Sequence, residues 1–175
     1  MKEIIEEFDD YLSCNIKDEK KVEKLSISHL VDYLNAYYKE DLKEKNIDFS
    51  FQIDQIEKEY LYTDQLRLNQ IYINILSNAI KYTPDGGRIE VTAGLEGGHV
   101  FILVSDNGIG IPEKDQPHLF ERFYRVDKAR SRQSGGTGLG LSIAREILDL
   151  HQGSIRIHSR FGEGTDVRIT LPSAQ

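Results

Sequence analysis

The 175-residue sequence contains one cysteine, no tryptophan and four prolines. An internal disulfide or a cysteine-based metal site needs more than one thiol, so a lone Cys14 excludes both and fits a reducing compartment, with the cytoplasm as the default. The N-terminus lacks the apolar run of a signal peptide, and no window approaches the roughly 18 apolar residues of a membrane span. We therefore expect a soluble, cytoplasmic chain.

An excess of basic charge is also missing. The chain carries 22 Lys and Arg against 29 Asp and Glu, a formal net charge of -7. A general nucleic-acid-binding protein would show a basic stripe and a high isoelectric point, so we expect no nucleic acid as a partner. The length fits one globular domain with a short appendage, and a protein or a nucleotide is the expected partner.

Hydrophobic periodicity predicts helices over residues 1 to about 20, about 28–45, 64–82 and about 139–151, with a possible short one at Glu113–Leu119. Asn46 should end the second helix. Alternating apolar residues predict the strands, at Ile47–Ile53, Tyr60–Tyr62, Ile89–Leu95, Val100–Val104, Ser154–His158 and Asp166–Leu171. Mostly hairpin-linked strands without regular β-α-β alternation favour an α+β two-layer sandwich.

A row of polar side chains distinguishes the helix predicted over residues 64–82. They recur every three or four residues and should form one stripe, opposite a buried stripe of Leu68, Ile71, Ile75, Leu76 and Ala79: Arg67, Gln70, Asn74, Asn78 and Lys81. A solvated face usually carries Glu and Lys, whereas short amides are favoured where something specific hydrogen-bonds them. Amide oxygens beside a lysine suit a hydrated Mg²⁺ and the phosphates it neutralises. The alternative is a merely solvated face.

Two glycine clusters lie downstream of this helix. In Asp106–Gly110 a carboxylate ends a buried strand, where it can accept a hydrogen bond from a purine amino group while the glycines admit the base; an ordinary turn is the alternative. Gly136–Gly140 precedes a helix, so its backbone amides can bind an anion. This second cluster fits neither a P-loop nor a dinucleotide fingerprint.

The stretch between the clusters, residues 111–136, is long for a loop inside a compact domain, and such loops are usually functional lids. A mobile cationic segment can close over a polyphosphate, although charge runs are also common on solvated faces. We expect Phe120 and Phe123 to anchor the lid through apolar contact. The cations are Arg122, Arg125, Lys128, Arg130 and Arg132.

In order and spacing, the amide-bearing helix, both glycine clusters, the Phe120–Phe123 segment and the Gly162–Thr165 turn closely resemble the catalytic and ATP-binding domain of bacterial sensor histidine kinases. That superfamily also includes gyrase, heat-shock 90 chaperones and MutL. The resemblance covers about residues 22–172 and implies the Bergerat ATP-binding fold: a mixed, mostly antiparallel sheet covered on one face by three helices, with a long ATP lid. It implies a dimerisation-helix remnant and linker at 1–21 and the kinase domain at 22–175.

The resemblance also implies the catalytic residues and their cofactors, ATP and Mg²⁺. Asn78 would bind Mg²⁺ with Asn74 supporting it, Lys81 would contact phosphate, and Arg125 would reach the terminal phosphates. The hydrolytic members of the superfamily carry a glutamate at the position of Asn74, and an amide is no base at neutral pH. We therefore expect slow ATP hydrolysis.

The remaining implied residues form the nucleotide pocket. Tyr82 would pack against the adenine, and Asp106 would accept the adenine amino group, directly and through a water shared with Thr165. Gly108 and Gly110 would shape that pocket. The lid hinge and phosphate cradle would consist of Gly136, Gly138 and Gly140 with Leu139, and the nucleotide-binding set is completed by Ile111, Phe120 and Thr137.

One departure from the family concerns the phosphate acceptor, normally a histidine followed by an acidic residue. No histidine here has that neighbour: His29, His99, His118, His151 and His158. We therefore expect a monomeric chain that phosphorylates a histidine on a separate dimerisation domain of the same, membrane-anchored kinase, which then serves a response regulator. The alternatives are a regulatory ATP-binding module that docks partners without transfer, and an anti-sigma-factor serine kinase.

Overall fold

The computed structural model describes residues 23–26, 32, 35–54, 60–126 and 137–173. The helix predicted over residues 1 to about 20 lies outside this part of the chain. So do Gly136 and three of the predicted lid cations, Lys128, Arg130 and Arg132. Among the helices that the structure describes, none is long and apolar enough to cross a membrane.

A five-stranded mixed sheet forms one layer of the fold. Its spatial order is β2-β4-β5-β7-β6, and only the β2–β4 pair is parallel. The prediction of a mixed, mostly antiparallel sheet is confirmed. The strands are β2 (Asp48–Asp54), β4 (Arg88–Glu96), β5 (His99–Asp106), β6 (Ser154–Arg160) and β7 (Gly164–Pro172).

Helices cover one face of this sheet, which confirms the predicted sandwich. They are α1 (Lys39–Glu44), α2 (Gln65–Tyr82) and α3 (Gly140–Leu150). The whole predicted apolar stripe of α2 is buried, against the inward residues of β4 and β5: Ile89, Val91, Ala93, Val100, Ile102 and Val104. Because alternate strand residues point to opposite faces, these six present one continuous apolar surface to the helices.

Both ends of α2 are fixed by side chains. The Asp64 carboxylate caps the N-terminus by accepting the Arg67 backbone N–H at 3.2 Å. At the C-terminus, the Lys45 ammonium donates to the carbonyl oxygens of Ile80 at 2.6 Å and of Thr83 at 2.5 Å. These carbonyls have no partner within the helix, and a cation suits the negative end of its dipole. The amide-bearing helix is therefore held in place at the end nearest the polar side chains.

One prediction about the N-terminal part needs correction. The helix expected over about 28–45 is not continuous: residues 35–37 are helical, but Tyr38 (φ -93°, ψ 6°) leaves the helical conformation where its ring enters the core, and α1 begins at Lys39. The predicted end at Asn46 is confirmed, with φ at +51°.

A strand was also missed. β1 (Glu23–Ser26) pairs antiparallel with β3 (Tyr60–Thr63) in a two-stranded sheet separate from the main one. Leu25 is the only apolar residue of β1, so this strand has no alternation to detect.

A two-glycine turn and a short 3₁₀ helix connect the elements around the sheet. Gly97 and Gly98 both have positive φ (57° and 76°) and close the β4–β5 hairpin, as the primed turns that match strand twist require. The short helix expected near Glu113–Leu119 is a 3₁₀ helix over Glu113–His118, with Pro117 inside it. This 3₁₀ helix follows the first glycine cluster and leads into the Phe120–Arg125 segment.

Candidate nucleotide-binding site

A cavity of about 570 Å³ lies where α2, the end of β5 and the start of α3 meet. Twelve of the predicted site residues line it: Asn74, Asn78, Lys81, Tyr82, Asp106, Gly110, Ile111, Arg125, Thr137, Gly138, Gly140 and Thr165. They come from five separated parts of the sequence, so the fold brings them together. The cavity is therefore the candidate functional site.

The C-terminal half of α2 supplies the polar side chains of one wall. Asn74, Asn78 and Lys81 face the cavity because they are spaced by one helical turn. Asn74 also donates from Nδ2 to the Gly140 carbonyl oxygen at 3.2 Å, which ties α2 to the first turn of α3 and fixes the orientation of the amide. The remaining amide oxygen, Oδ1, is then available as an acceptor.

The N-terminal half of the predicted polar stripe lies elsewhere. Arg67 and Gln70 do not line the cavity, and Gln70 is only 9% exposed, with its Oε1 accepting from the Arg67 guanidinium at 3.4 Å. Helical spacing places five polar residues on one side of α2, but only the last turns of the helix reach the cavity.

Asp106 ends β5 at the cavity. Its Oδ1 accepts the Gly108 backbone N–H at 2.8 Å, and Thr165 is its partner on β7. Burial raises the pKa of Asp106, while hydrogen bonds from the Gly108 and Thr165 backbones oppose the shift. A half-buried carboxylate with acceptor capacity left over is suited to bind an amino group of a ligand.

The glycines of the first cluster allow close backbone packing beside Asp106. A Cβ at Gly108 would lie 2.6 Å from the Tyr82 carbonyl oxygen, and Gly108 lies behind the cavity wall rather than on it. Gly110 has φ +66°, and a Cβ there would overlap the Arg160 carbonyl oxygen. Both residues thus shape the pocket by admitting neighbouring backbone.

The second cluster performs a similar task at the start of α3. Gly138 has φ +75°, its carbonyl oxygen accepts the Phe123 N–H at 3.0 Å, and a Cβ there would lie 2.8 Å from the Tyr124 carbonyl oxygen. Thr137 Oγ1 accepts the Leu139 N–H at 3.3 Å. Leu139 is 1% exposed and belongs to the core, so it anchors the cluster without lining the cavity.

The predicted roles of the two phenylalanines need correction. Phe123 is 65% exposed at φ +66°, so it does not anchor the segment through apolar contact. Phe120 does not line the cavity; the Arg145 guanidinium of α3 lies 5.0 Å from its ring centroid. The backbone turns through a left-handed conformation at Phe123, which spacing alone does not reveal.

Hydrogen bonds centred on Ser159 hold the far side of the cavity. Ser159 Oγ accepts the Ile111 N–H at 2.9 Å and lies 2.8 Å from Thr165 Oγ1. Gln116 donates from Nε2 to the carbonyl oxygens of Ile111 and Ser159, at 3.1 and 2.9 Å. Two cavity residues, Ile111 and Thr165, are thereby fixed by one network.

The sequence did not indicate many of the lining residues. Seven are apolar or small residues that follow the ordinary periodicity of their helix or strand: Ile75, Ser77, Ala79, Val104, Leu141, Ile157 and Val167. Five more lie in turns and loops: Thr83, Pro84, Ile109, Leu119 and Val126. Nothing local separates these from core residues. Tyr124 could have been predicted to line the cavity, because it directly precedes the predicted site residue Arg125. Lys45 could not, since its contacts join residues 35 to 38 positions apart.

The cavity combines an apolar wall, one carboxylate, two amides and the cations Lys45, Lys81 and Arg125. Such a set suits a ligand with a flat apolar part, an amino group and an anionic part. Among the described residues, no group of three His, Cys, Asp or Glu could hold a metal ion. A metal here would need amide oxygens together with ligands from the bound molecule.

Comparison with known proteins agrees with this geometry. Residues 63–175 match the family model of the histidine kinase-, DNA gyrase B- and HSP90-like ATPases. The sensor histidine kinase WalK of Bacillus subtilis (strain 168) is 49% identical over 115 residues, which are 65% of this chain and 19% of WalK. The chain spans about a quarter or less of the length of such curated relatives.

Solved structures share the fold. The nucleotide-free catalytic domain of histidine kinase ThkA superposes with a TM-score of 0.76 at 29% identity, covering 87% of this chain and 95% of that domain. A structure of histidine kinase ThkA in complex with response regulator protein TrrA gives a TM-score of 0.79 at 26% identity, covering 99% of this chain and 47% of that one.

Proposed function

This chain belongs to the family of histidine kinase-, DNA gyrase B- and HSP90-like ATPases, and from that premise we propose that it is the catalytic domain of a sensor histidine kinase. It binds ATP and transfers the γ-phosphoryl group to a histidine on the dimerisation domain of the same kinase. One observation carries this proposal: a single cavity holds Asp106, the α2 amides and Lys81, Arg125 and the α3 glycines.

Asp106 recognises the adenine in this proposal. Its carboxylate holds the Gly108 N–H and has lone pairs left for the adenine amino group, with Thr165 beside it for a shared water. Tyr82 lines the cavity and is 47% exposed, and its ring would pack against the base, with the Lys81 ammonium 5.5 Å from the ring centroid. Ile111 and the apolar strand residues complete the site for the base.

Asn78, Asn74, Lys81 and Arg125 serve the phosphates and Mg²⁺. Asn78 would coordinate the ion through its amide oxygen, and Asn74, oriented by its bond to Gly140, would support it. Neutral amide oxygens suit a Mg²⁺ that takes its other ligands from phosphates and water, and the bound ion supplies charge neutralisation. Lys81 and Arg125 bind the phosphates, beside the glycines at the start of α3.

Transfer rather than hydrolysis follows from the side chain at position 74. An amide cannot accept a proton from water at neutral pH, so Asn74 is no general base. The residues of this cavity therefore position the nucleotide and neutralise charge, which is most of what phosphoryl transfer requires. The base lies beside the acceptor histidine, and hydrolysis by the isolated chain is slow.

The partners in this proposal are other proteins of a two-component system. The acceptor is the dimerisation domain of the parent kinase, and a response regulator then takes the phosphoryl group. The complex of ThkA with TrrA supports the second partner. We place the chain on the cytoplasmic side of a longer, membrane-anchored kinase, and as a monomer when it is separate from that parent.

Arg125→Ala tests the transfer step. With radiolabelled ATP and a separately produced dimerisation domain of the parent kinase, we expect label on the acceptor histidine, and a loss of about 100-fold in rate for Arg125→Ala because one transition-state cation is removed. Arg156→Ala, an exposed arginine on β6, is the matched control and should transfer normally.

A chain that binds ATP yet labels no acceptor histidine would contradict the kinase assignment and favour a docking module. Label on serine or threonine would favour a serine kinase instead. Equal rates for Arg125→Ala and Arg156→Ala would contradict the role given to Arg125.

A further inference from the structure

A buried carboxylate beside the cavity has no role in the chemistry described so far. Asp115, in the 3₁₀ helix, is only 7% exposed. Its Oδ1 accepts the Tyr124 hydroxyl at 2.6 Å, while its buried Oδ2 has no hydrogen-bond partner among the residues the structure describes. Since a buried carboxylate is costly unless it is hydrogen-bonded, the bond from Tyr124 is the contact that offsets its burial.

Tyr124 is fixed at three points. Its backbone N–H donates to the Glu121 carbonyl oxygen at 3.2 Å, its hydroxyl donates to Asp115, and its ring lies 5.2 Å from the His118 ring at an angle of 30°. His118 is itself held by Nδ1, 2.7 Å from the Glu121 carboxylate. The 3₁₀ helix and the turn after it therefore hold this tyrosine in one position.

That position matters because Tyr124 lines the cavity together with Arg125 and Val126. The Tyr124 carbonyl oxygen packs where a Cβ of Gly138 would be, and the preceding Phe123 N–H bonds to Gly138. The segment that carries Arg125 thus meets the glycines at the start of α3 through Gly138. A shift of Tyr124 would move Arg125 relative to those glycines.

We propose that Asp115 is a positioning residue: through Tyr124 it fixes Arg125 at the cavity and thereby sets the affinity for the terminal phosphate of the nucleotide. This inference rests on the proposed function and assigns a task to two residues outside the chemistry above. The hydrogen bond to Asp115 is also the main cause that raises the pKa of Tyr124.

The test compares binding of a non-hydrolysable ATP analogue and of ADP, both with Mg²⁺, to single and double variants. Tyr124→Phe keeps the ring and removes only the hydroxyl. Asp115→Ala removes the acceptor. We expect each to weaken binding of the triphosphate analogue roughly ten-fold, the size expected when one hydrogen bond to a charged group is lost, and to change ADP binding less than about two-fold.

Three further variants sharpen the result. The double variant should bind like either single one, because both changes break the same link. Asp115→Asn keeps an acceptor oxygen and should lose less than Asp115→Ala. Glu113→Ala, an exposed acid in the same 3₁₀ helix, should bind like the unaltered chain.

The outcomes separate this inference from the proposed function. If the unaltered chain binds the analogue but Tyr124→Phe does so equally well, the positioning role is overturned while the nucleotide site stands. Equal losses for the triphosphate and for ADP, in variants that melt like the unaltered chain, would also overturn it, since they indicate a general loss of pocket structure. No binding by the unaltered chain would overturn both.

Discussion

Among single residues, Gly110 is one whose backbone conformation and close packing both require glycine. Its positive φ would cost any other residue about 1 kcal/mol, and in addition a side chain would meet the Arg160 carbonyl oxygen. Gly162, at φ +85°, carries the first cost without the second, because nothing lies near its missing Cβ. The two glycines therefore form a matched pair.

We predict that Gly162→Ala lowers the free energy of unfolding by about 1 kcal/mol, whereas Gly110→Ala lowers it by about 3 kcal/mol or more because backbone must also move. Urea denaturation of both variants measures the difference. Equal losses would contradict the close packing described beside Asp106.

The sequence revealed candidate binding residues where a polar residue follows a strand or recurs along a helix. Asp106 follows a run of alternating apolar residues, and Asn78 and Lys81 repeat with the helical turn. That these three side chains share one site followed from the family resemblance. The exposed position of Phe123 was not predictable, because it depends on a left-handed φ that no neighbouring residue signals. Glycine or asparagine would have marked such a turn; phenylalanine does not.

At the scale of elements, α2 carries the site, and its C-terminal end is held from outside the helix. Lys45 binds carbonyl oxygens there and also lines the cavity, although it lies outside the family match at residues 63–175. Sequence patterns predicted α2 almost residue for residue, because an 18-residue amphipathic helix repeats its signal over five turns. They could not predict Lys45, whose partner carbonyls are brought close by the fold.

We predict that Lys45→Met lowers the free energy of unfolding by about 1.5–3 kcal/mol, since it keeps most of the side-chain volume but removes a charged donor from the last carbonyls of α2. Lys43→Met, an exposed lysine in the last turn of α1, is the control and should change stability by less than about 0.5 kcal/mol. Thermal or urea unfolding gives the comparison. Equal values for the two variants would show that Lys45 does not stabilise α2.

Hydrophobic periodicity did not predict β1 or the helix break at Tyr38. β1 has four residues with a single apolar one, so its pairing with β3 has no signature in the sequence. The break at Tyr38 has none either, because helical spacing continues through it and the interruption arises where its ring enters the core. Tertiary packing decides such cases over local propensity.

The molecule as a whole has a net charge of -7, yet three cationic side chains line its cavity. The net negative charge disfavours nucleic acid, whereas the cationic side chains at the cavity favour a small polyanion. Both the five-stranded sheet and the cavity are built from residues far apart in sequence. The fold class was nevertheless predictable, because the glycine clusters and the amide-bearing helix occur in a recognisable order.

The proposed function requires this cavity to bind ATP with Mg²⁺, with Asp106 holding the adenine. Calorimetric titration with a non-hydrolysable ATP analogue, with and without Mg²⁺, tests this requirement directly on the unaltered chain, on Asp106→Asn and on Asp149→Asn, an exposed acid of α3. We predict Mg²⁺-dependent binding that Asp106→Asn weakens ten-fold or more, because Oδ1 already accepts the Gly108 N–H and the other oxygen is replaced by an NH₂ donor, and that Asp149→Asn leaves unchanged. A folded chain that binds no analogue, or an Asp106→Asn variant that binds it as tightly as the unaltered chain, would contradict the proposal.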